Sequence, residues 1–381
     1  MHLVTICGVT ASSLPAASSS TVGELLYTLN APDGGNFGKA VAMSDSYFAV
    51  AAPAANSGNG KYYVYNKSDG SLVHTTNGNG GGFGSKPNSI AMTDTRIIFG
   101  RPAMNTFKGG YLMHETQTGS YVVGATMPSP ASNYDGFGTE IAVDDTAGAF
   151  VVGVAYEDTG ASNSGSAYYY NMSGVLQATV RNPNAGGTTT EQDNFGYGVA
   201  MGPTASAVGA PRDFGRTGVV YHRTTTGTAV RTLSSSMGSN AQMGRDCGIT
   251  GNLIISWGDA NKIQANRIDN GAIVYNVTTQ TGSNTMTGSS VGPNVLVQSR
   301  FVDDEAATNA GAVDFYDTAT GAFVLKILNP NSVSMANGGG QFGFSTATNG
   351  TMTIVGAPGN AKSSASGANN GAGQAFVYST V

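Results

Sequence analysis

Charge is what this sequence has least of. Lys and Arg number 18 and Asp and Glu 23 in 381 residues, 11% together, against about 25% in an average globular chain. The net charge is −5 and no basic cluster or stripe occurs, which argues against nucleic acid as a partner, because binding it rests on many phosphate-neutralising cations. Cysteine is nearly absent. Cys7 and Cys247 lie far apart and neither belongs to a metal-spaced pair, so no disulfide framework is implied and two free thiols are expected. No apolar run approaches the roughly 18 residues that cross a bilayer as a helix, so no membrane insertion is expected. The first residues, MHLVTICGVTASSLPAASSS, lack the positive start and long apolar core of a secretory leader, so either this is a mature chain or the protein is made in a cytoplasm and not exported by that route. Helical periodicity is missing as well.

What is present is glycine, at 55, with 40% hydrophobic residues arriving in short Val-, Ile-, Tyr- and Phe-rich runs. That combination predicts many short strands joined by tight turns. The strands repeat. Phe195–Pro211 reads FGYGVAMGPTASAVGAP, Phe37–Pro53 reads FGKAVAMSDSYFAVAAP, and Phe342–Pro358 reads FGFSTATNGTMTIVGAP. Each is an apolar strand, a short turn and a second apolar strand. Further Phe-Gly starts fall at Phe83 and Phe137, Met243-Gly244 is a degenerate one, and PNVLVQSR (293–300) is the legible half of another. Each is followed by a hairpin such as GKYYVYNKSDG (60–70) or GAVDFYDTATG (311–321), with a turn glycine supplying the positive φ.

Four strands per unit, repeated every 46–58 residues or so, is the size of a propeller blade. The chain ends on a third strand, Gly373–Tyr378, while 24–30 forms an outer strand with no blade of its own. Pairing the two removes two exposed sheet edges. The fold class expected is therefore all-β, a seven-bladed propeller of four-stranded blades closed by an N-terminal outer strand. It spans 21–381, after an arm or linker at 1–20.

Phe-Gly followed by Val-Gly-Ala-Pro, at Val208–Pro211 and Val355–Pro358 and nearly at Val50–Pro53 and Phe99–Pro102, resembles the FG-GAP repeat of integrin α heads. The resemblance implies a seven-bladed propeller used for binding. Many members carry an Asp-x-Asp-x-Asp-Gly calcium loop. Nothing here reproduces it, and Asp144-Asp145, Glu157-Asp158 and Asp303-Asp304-Glu305 are adjacent carboxylates that point apart on an extended chain, so no metal is expected.

No catalytic constellation emerges, and an enzyme is not expected. His2, His74, His114 and His222 are isolated. Gly288–Gly292 fits G-x-S-x-G but lacks the strand–elbow–helix context. No cofactor is implied. The connections between second and third strands and those between blades are the long ones, and up-and-down geometry puts both sets on one face. Function concentrates in loops on rigid scaffolds, so Tyr134, Asp135, Glu157, Asp158, Arg212, Asp213, Asp303, Asp304 and Glu305 are the candidate ligand-binding residues. Leu3, Val4, Ile6 and Val9 make the arm a candidate docking segment. An uncharged, Gly/Ser/Thr/Asn-rich β chain without an export leader fits a virion protein of a tailed phage, in the tail or a fibre, serving assembly or host attachment. It would be assembled in the host cytoplasm, contact other virion proteins through the arm, and bind a host surface glycan or protein. The alternative expectation is a secreted or cell-surface adhesion propeller.

Overall fold

The computed structural model describes residues 3–6, 9–12, 21–128, 135–185, 192–259, 262–279, 288–331, 339–360 and 372–381. Seven antiparallel four-stranded sheets form the blades. Blade 1 runs from Ala40–Met43 at the axis through Tyr47–Ala52 and Lys61–Asn66 to Leu72–Asn77 at the rim. The other inner strands are Ile90–Met92, Glu140–Asp144, Val199–Met201, Asp246–Thr250, Ser290–Val291 and Ser345–Thr348. Each lies beside the next, and the last lies beside the first, so the ring is closed. Leu25–Asn30 is the outer strand of blade 7, pairing Asn30 with Gln374 and Leu29 with Ala375. The expected closure is what the fold uses.

The Phe-Gly dipeptide stitches neighbours together. The Phe backbone bridges the glycine that opens the third strand of the preceding blade, as in Phe137 with Gly109 and Phe195 with Gly165. A Cβ on Gly109 would come within 2.1 Å of the Phe137 carbonyl oxygen, so only glycine permits the approach. The Phe ring meanwhile enters its own blade. Phe37, Phe137, Phe195 and Phe342 are fully buried and meet Tyr63, Tyr168, Tyr221 and Phe376 at centroid separations of 5.3–5.5 Å. Removing such a ring would cost about 3–5 kcal/mol.

Seven strands converging on one axis leave little room between blades. Ala40, Ala42, Ala49 and Ala51 of blade 1 therefore face Ile90, Met92, Ile97 and Phe99 of blade 2 in one cluster, small against large. Blade 6 departs from this apolar scheme. Its buried Arg300 pairs with Asp303 at 2.7 Å and Asp314 at 3.1 Å, and Lys326 adds Glu305 at 2.6 Å.

Among the described residues, two short turns, Met104–Phe107 and Asp213–Arg216, with left-handed residues at their centres, interrupt the β course. Ahead of the ring, Leu3–Ile6 and Val9–Ser12 pair as a separate two-stranded hairpin. The arm positions Leu3, Val4, Ile6 and Val9 lie on its strands. No helix among the described residues is long and apolar enough to cross a membrane.

Candidate binding site at the axial mouth

Three of the loop acids expected to bind, Glu157, Asp213 and Asp303, occupy one repeated position. Four residues beyond the glycine position of the Val-Gly-Ala-Pro signature stand Ala55, Met104, Glu157, Asp213, Asp303 and Asn360 in blades 1, 2, 3, 4, 6 and 7. The backbone carbonyl there receives the N–H of the glycine opening the third strand, at 3.0 Å from Ala55, 3.0 Å from Glu157 and 3.1 Å from Asp213. The polar side chains are spent locally. Glu157 accepts from Ser166 and Thr159. Asp213 accepts from the Tyr221 hydroxyl at 2.6 Å and Asn184 at 2.6 Å. Asp303 holds Arg300, and its neighbours Asp304 and Glu305 engage the Asn309 N–H and Lys326. Asp158 accepts from the Asn163 N–H at 2.8 Å, and Asp135 is buried. Tyr134 lies outside the described residues. These residues are spread over blades 3, 4 and 6 and do not converge.

A different pair does converge. The residue topping each inner strand follows from the strand register: Ala40 opposite Ala51, Glu140 opposite Gly153, Asp246 opposite Trp257, Ser345 opposite Gly356. Ser89 and Gly198 hold the same place, their carbonyls accepting the Gly100 and Gly209 N–H groups at 2.7 and 2.8 Å. Continuing the pairing of Ser290 with Val297 puts Gly288 there in blade 6. Two residues on, the ring reads Ala42, Ala91, Ala142, Ala200, Gly248, Ser290, Ala347, all small because the strands crowd. A Cβ on Gly248 would lie 2.4 Å from Val291. Five of the seven top residues are likewise Ala, Ser or Gly. The other two are Glu140 and Asp246.

A second irregularity meets them. Three residues separate Phe37 from Ala40, Phe137 from Glu140 and Met243 from Asp246, but six separate Phe83 from Ser89. The extra residues are Lys86-Pro87-Asn88. The Asn88 carbonyl accepts the Ile141 N–H at 3.0 Å, which lays this segment against blade 3. The Asn88 side chain lines the same cavity as the Glu140 and Asp246 carboxyls, and its polar amide opposes the upward shift of both. Asp246 also accepts the N–H groups of Cys247 at 2.9 Å and Ser289 at 3.1 Å. Blade 4, between the two acids, carries Gly198, where a Cβ would stand 2.8 Å from the Asp246 Cα.

Burial pushes the Glu140 carboxyl well above its ordinary range, and the negative charge of Asp246 adds to this, with Asn88 and Lys86 opposing. Burial likewise raises Asp246, against the Asn88 amide and the hydrogen bonds from Cys247 and Ser289. Two carboxyls so placed do not both ionise readily, and they titrate as a pair. The buried Cys247 thiol is raised by burial and by both acids.

Above the pair opens a cavity of about 310 Å³, lined among others by Lys86, Asn88, Phe107, Glu140, Tyr156 and Asp246. That volume is at the lower end of the range of about 300–1,000 Å³ for small-molecule sites. Arg245 lies over the Tyr197 ring, 5.6 Å from its centroid, and is ion-paired with Asp259. The rim is aromatic and open, with Phe107 48% and Tyr156 42% exposed. Of the loop residues expected to bind, Arg212 has its charge felt at Tyr156. Phe107 ends a left-handed turn, Asn105-Thr106-Phe107, with φ of 50°, 60° and 64°. Blades 1 and 4 turn the same way at Asn56-Ser57-Gly58 and Phe214-Gly215-Arg216. Blade 1 uses Asn, Ser and Gly there, whereas blades 2 and 4 each hold a bulky ring in it, Phe107 and Phe214, at a cost of about 1–3 kcal/mol.

No group of three or more metal-ligating side chains occurs among the described residues. The molecule is thus a seven-bladed β-propeller with an aromatic-rimmed cavity, mostly apolar with a few polar side chains, at one end of its axis. No known family model matches the chain, and no curated protein matches it in sequence. The FG-GAP likeness is therefore a likeness of motif and spacing.

Proposed function

We propose that this chain is a non-enzymatic recognition propeller that engages its ligand at the axial mouth. The observation that carries this reading is the convergence of three departures from the repeat, the Lys86–Asn88 insertion, Glu140 and Asp246, on one cavity. Polar groups that a scaffold does not need, gathered where space is left for a guest, are the mark of a binding site. The uncharged, Gly/Ser/Thr/Asn-rich composition and the N-terminal hairpin support a place on a phage tail or fibre, with the hairpin as the segment that docks to a neighbouring virion protein. Two measurements test this. Antibody detection in purified intact particles is expected, and absence from them sinks the virion assignment. Labelled protein is expected to adsorb to host envelopes, and the Asn88→Ala/Glu140→Gln double variant to adsorb at least tenfold less; unchanged adsorption sinks the mouth as the recognition site.

One observation favours a second reading. A carboxyl pair of raised pKa, Asp246 buried and Glu140 half-buried, is also an acid–base device, which suits a glycan lyase or hydrolase. Recovery of the adsorbed glycan at its original chain length favours binding alone, whereas shortening that Glu140→Gln abolishes establishes the enzyme.

A further inference from the structure

The chemistry of the cavity names a ligand class, an inference that rests on the axial mouth being the recognition site. Hydrogen-bonding groups of both kinds face the cavity: the Lys86 ammonium donates, the Asn88 amide does both, and the Glu140 and Asp246 carboxyls accept. The walls between them are apolar faces, those of Pro87, Pro102, Phe107 and Tyr156. The lining carries both signs of charge. Lys86 stands among the two acids, and Arg245 is committed to Asp259 and Tyr197. Such a cavity offers no net attraction to a phosphate, a sialic acid or a polycation. It suits a compact neutral molecule with alternating hydroxyls on its edge and a C–H face to lay on an aromatic ring.

We propose that the axial mouth binds a terminal, uncharged pyranose of a surface glycan, its hydroxyls held by Lys86, Asn88 and Glu140 and its C–H face set against Phe107 and Tyr156. The cavity admits one or two sugar rings, so recognition is of a chain end. Asn88 is the specificity-determining group, because it is the uncharged polar side chain of the blade 2 insertion and shares the cavity lining with both acids. Phe107 gives the stacking platform, which the left-handed turn holds out over the cavity edge.

The test is calorimetry or saturation-transfer NMR on the full chain with a fixed panel: neutral methyl hexopyranosides and short oligosaccharides, glucuronate, sialic acid, inorganic phosphate and a lysine-rich peptide. A neutral hexopyranoside is expected to bind. Asn88→Ala is expected to weaken it about tenfold or more, the equivalent of one hydrogen bond made with charged groups, and Phe107→Ala by several-fold. Glu140→Gln, nearly isosteric, serves as the second probe should Asn88→Ala fail to fold. Asp303→Ala, in the distant loop of blade 6, is expected to leave the affinity unchanged. The proposal is overturned if no neutral sugar binds the wild type, if sugar binding survives both Asn88→Ala and Glu140→Gln, or if an anionic sugar, phosphate or the cationic peptide takes the mouth instead. Loss of envelope adsorption in the mouth variant together with no neutral-sugar binding separates the two ideas: the mouth would still recognise, and only the ligand class would be wrong.

Discussion

Two sets of carboxylates share the upper face of the disc and lead different lives. Glu157, Asp213 and Asp303 sit at one repeated position in the loops, each bonded within its own blade. Glu140 and Asp246 sit at the axis, where the other blades carry Ala, Ser or Gly, and share a cavity lining with the inserted Asn88. In a repeat protein a polar residue at a position filled blade after blade belongs to the scaffold. A carboxylate where the scaffold uses only small, uncharged side chains needs another reason to be there. Acid-rich loops look like binding surface in a linear sequence, yet these acids are hinges of the loops themselves.

The comparison is broken most forcefully at Asp303. Replacing it with Ala removes one partner of the buried Arg300 and one of Lys326, and is expected to cost about 3–5 kcal/mol in denaturant unfolding with the axial mouth unaffected. Should ligand affinity fall alongside stability, the loop acids are not merely scaffold. Asp213→Ala, which strands the Tyr221 hydroxyl and the Asn184 amide, is expected to cost about 1–3 kcal/mol by the same measurement.

The mouth acids are expected to behave in the opposite sense. Their folded-state pKa values lie above the unfolded ones, so the native state holds protons that the unfolded chain has released. Their contribution is full below about pH 4 and is lost as pH rises through the raised values. Asp246→Asn is accordingly expected to stabilise by on the order of 1 kcal/mol at pH 8 and not at pH 4. Thermal unfolding at the two pH values checks this, and equal shifts at both would mean that the pair does not store unfavourable charge. The smallest effect is expected at the rim. Phe107→Gly relieves a left-handed bulky residue and is expected to gain about 0.4–1 kcal/mol in thermal unfolding while weakening ligand binding. A gain in stability with unchanged affinity would leave the strain of that turn without a purpose.

Much of this architecture is legible without coordinates. Phe-Gly, the V-G-A-P ending, the x-x-Gly hairpins and the unmatched strands at the two ends lead to seven closed blades, because each carries a local physical rule: positive φ at a turn, alternation along a strand, an edge that needs a partner. The buried site was written in the same letters but at the wrong scale for local rules. Aligning the repeats by register rather than by their Phe-Gly marks isolates Glu140 and Asp246 as misfits and shows Lys86-Pro87-Asn88 as extra. Nothing in FGTEIAV or MGRDCGI, taken alone, distinguishes those acids from solvated loop charge.

What the sequence by itself determined is the blade: which residues form strands, where each turns, which faces are apolar, and how the ring closes. Whether a given carboxylate is spent on a loop or faces another across an axis was decided only by the tertiary structure. Residues 88, 140 and 246 come from three different blades, and their meeting depends on the curvature that seven of them impose. Burial, and with it the raised proton affinity of the pair, is a property of that closed ring and of no segment within it.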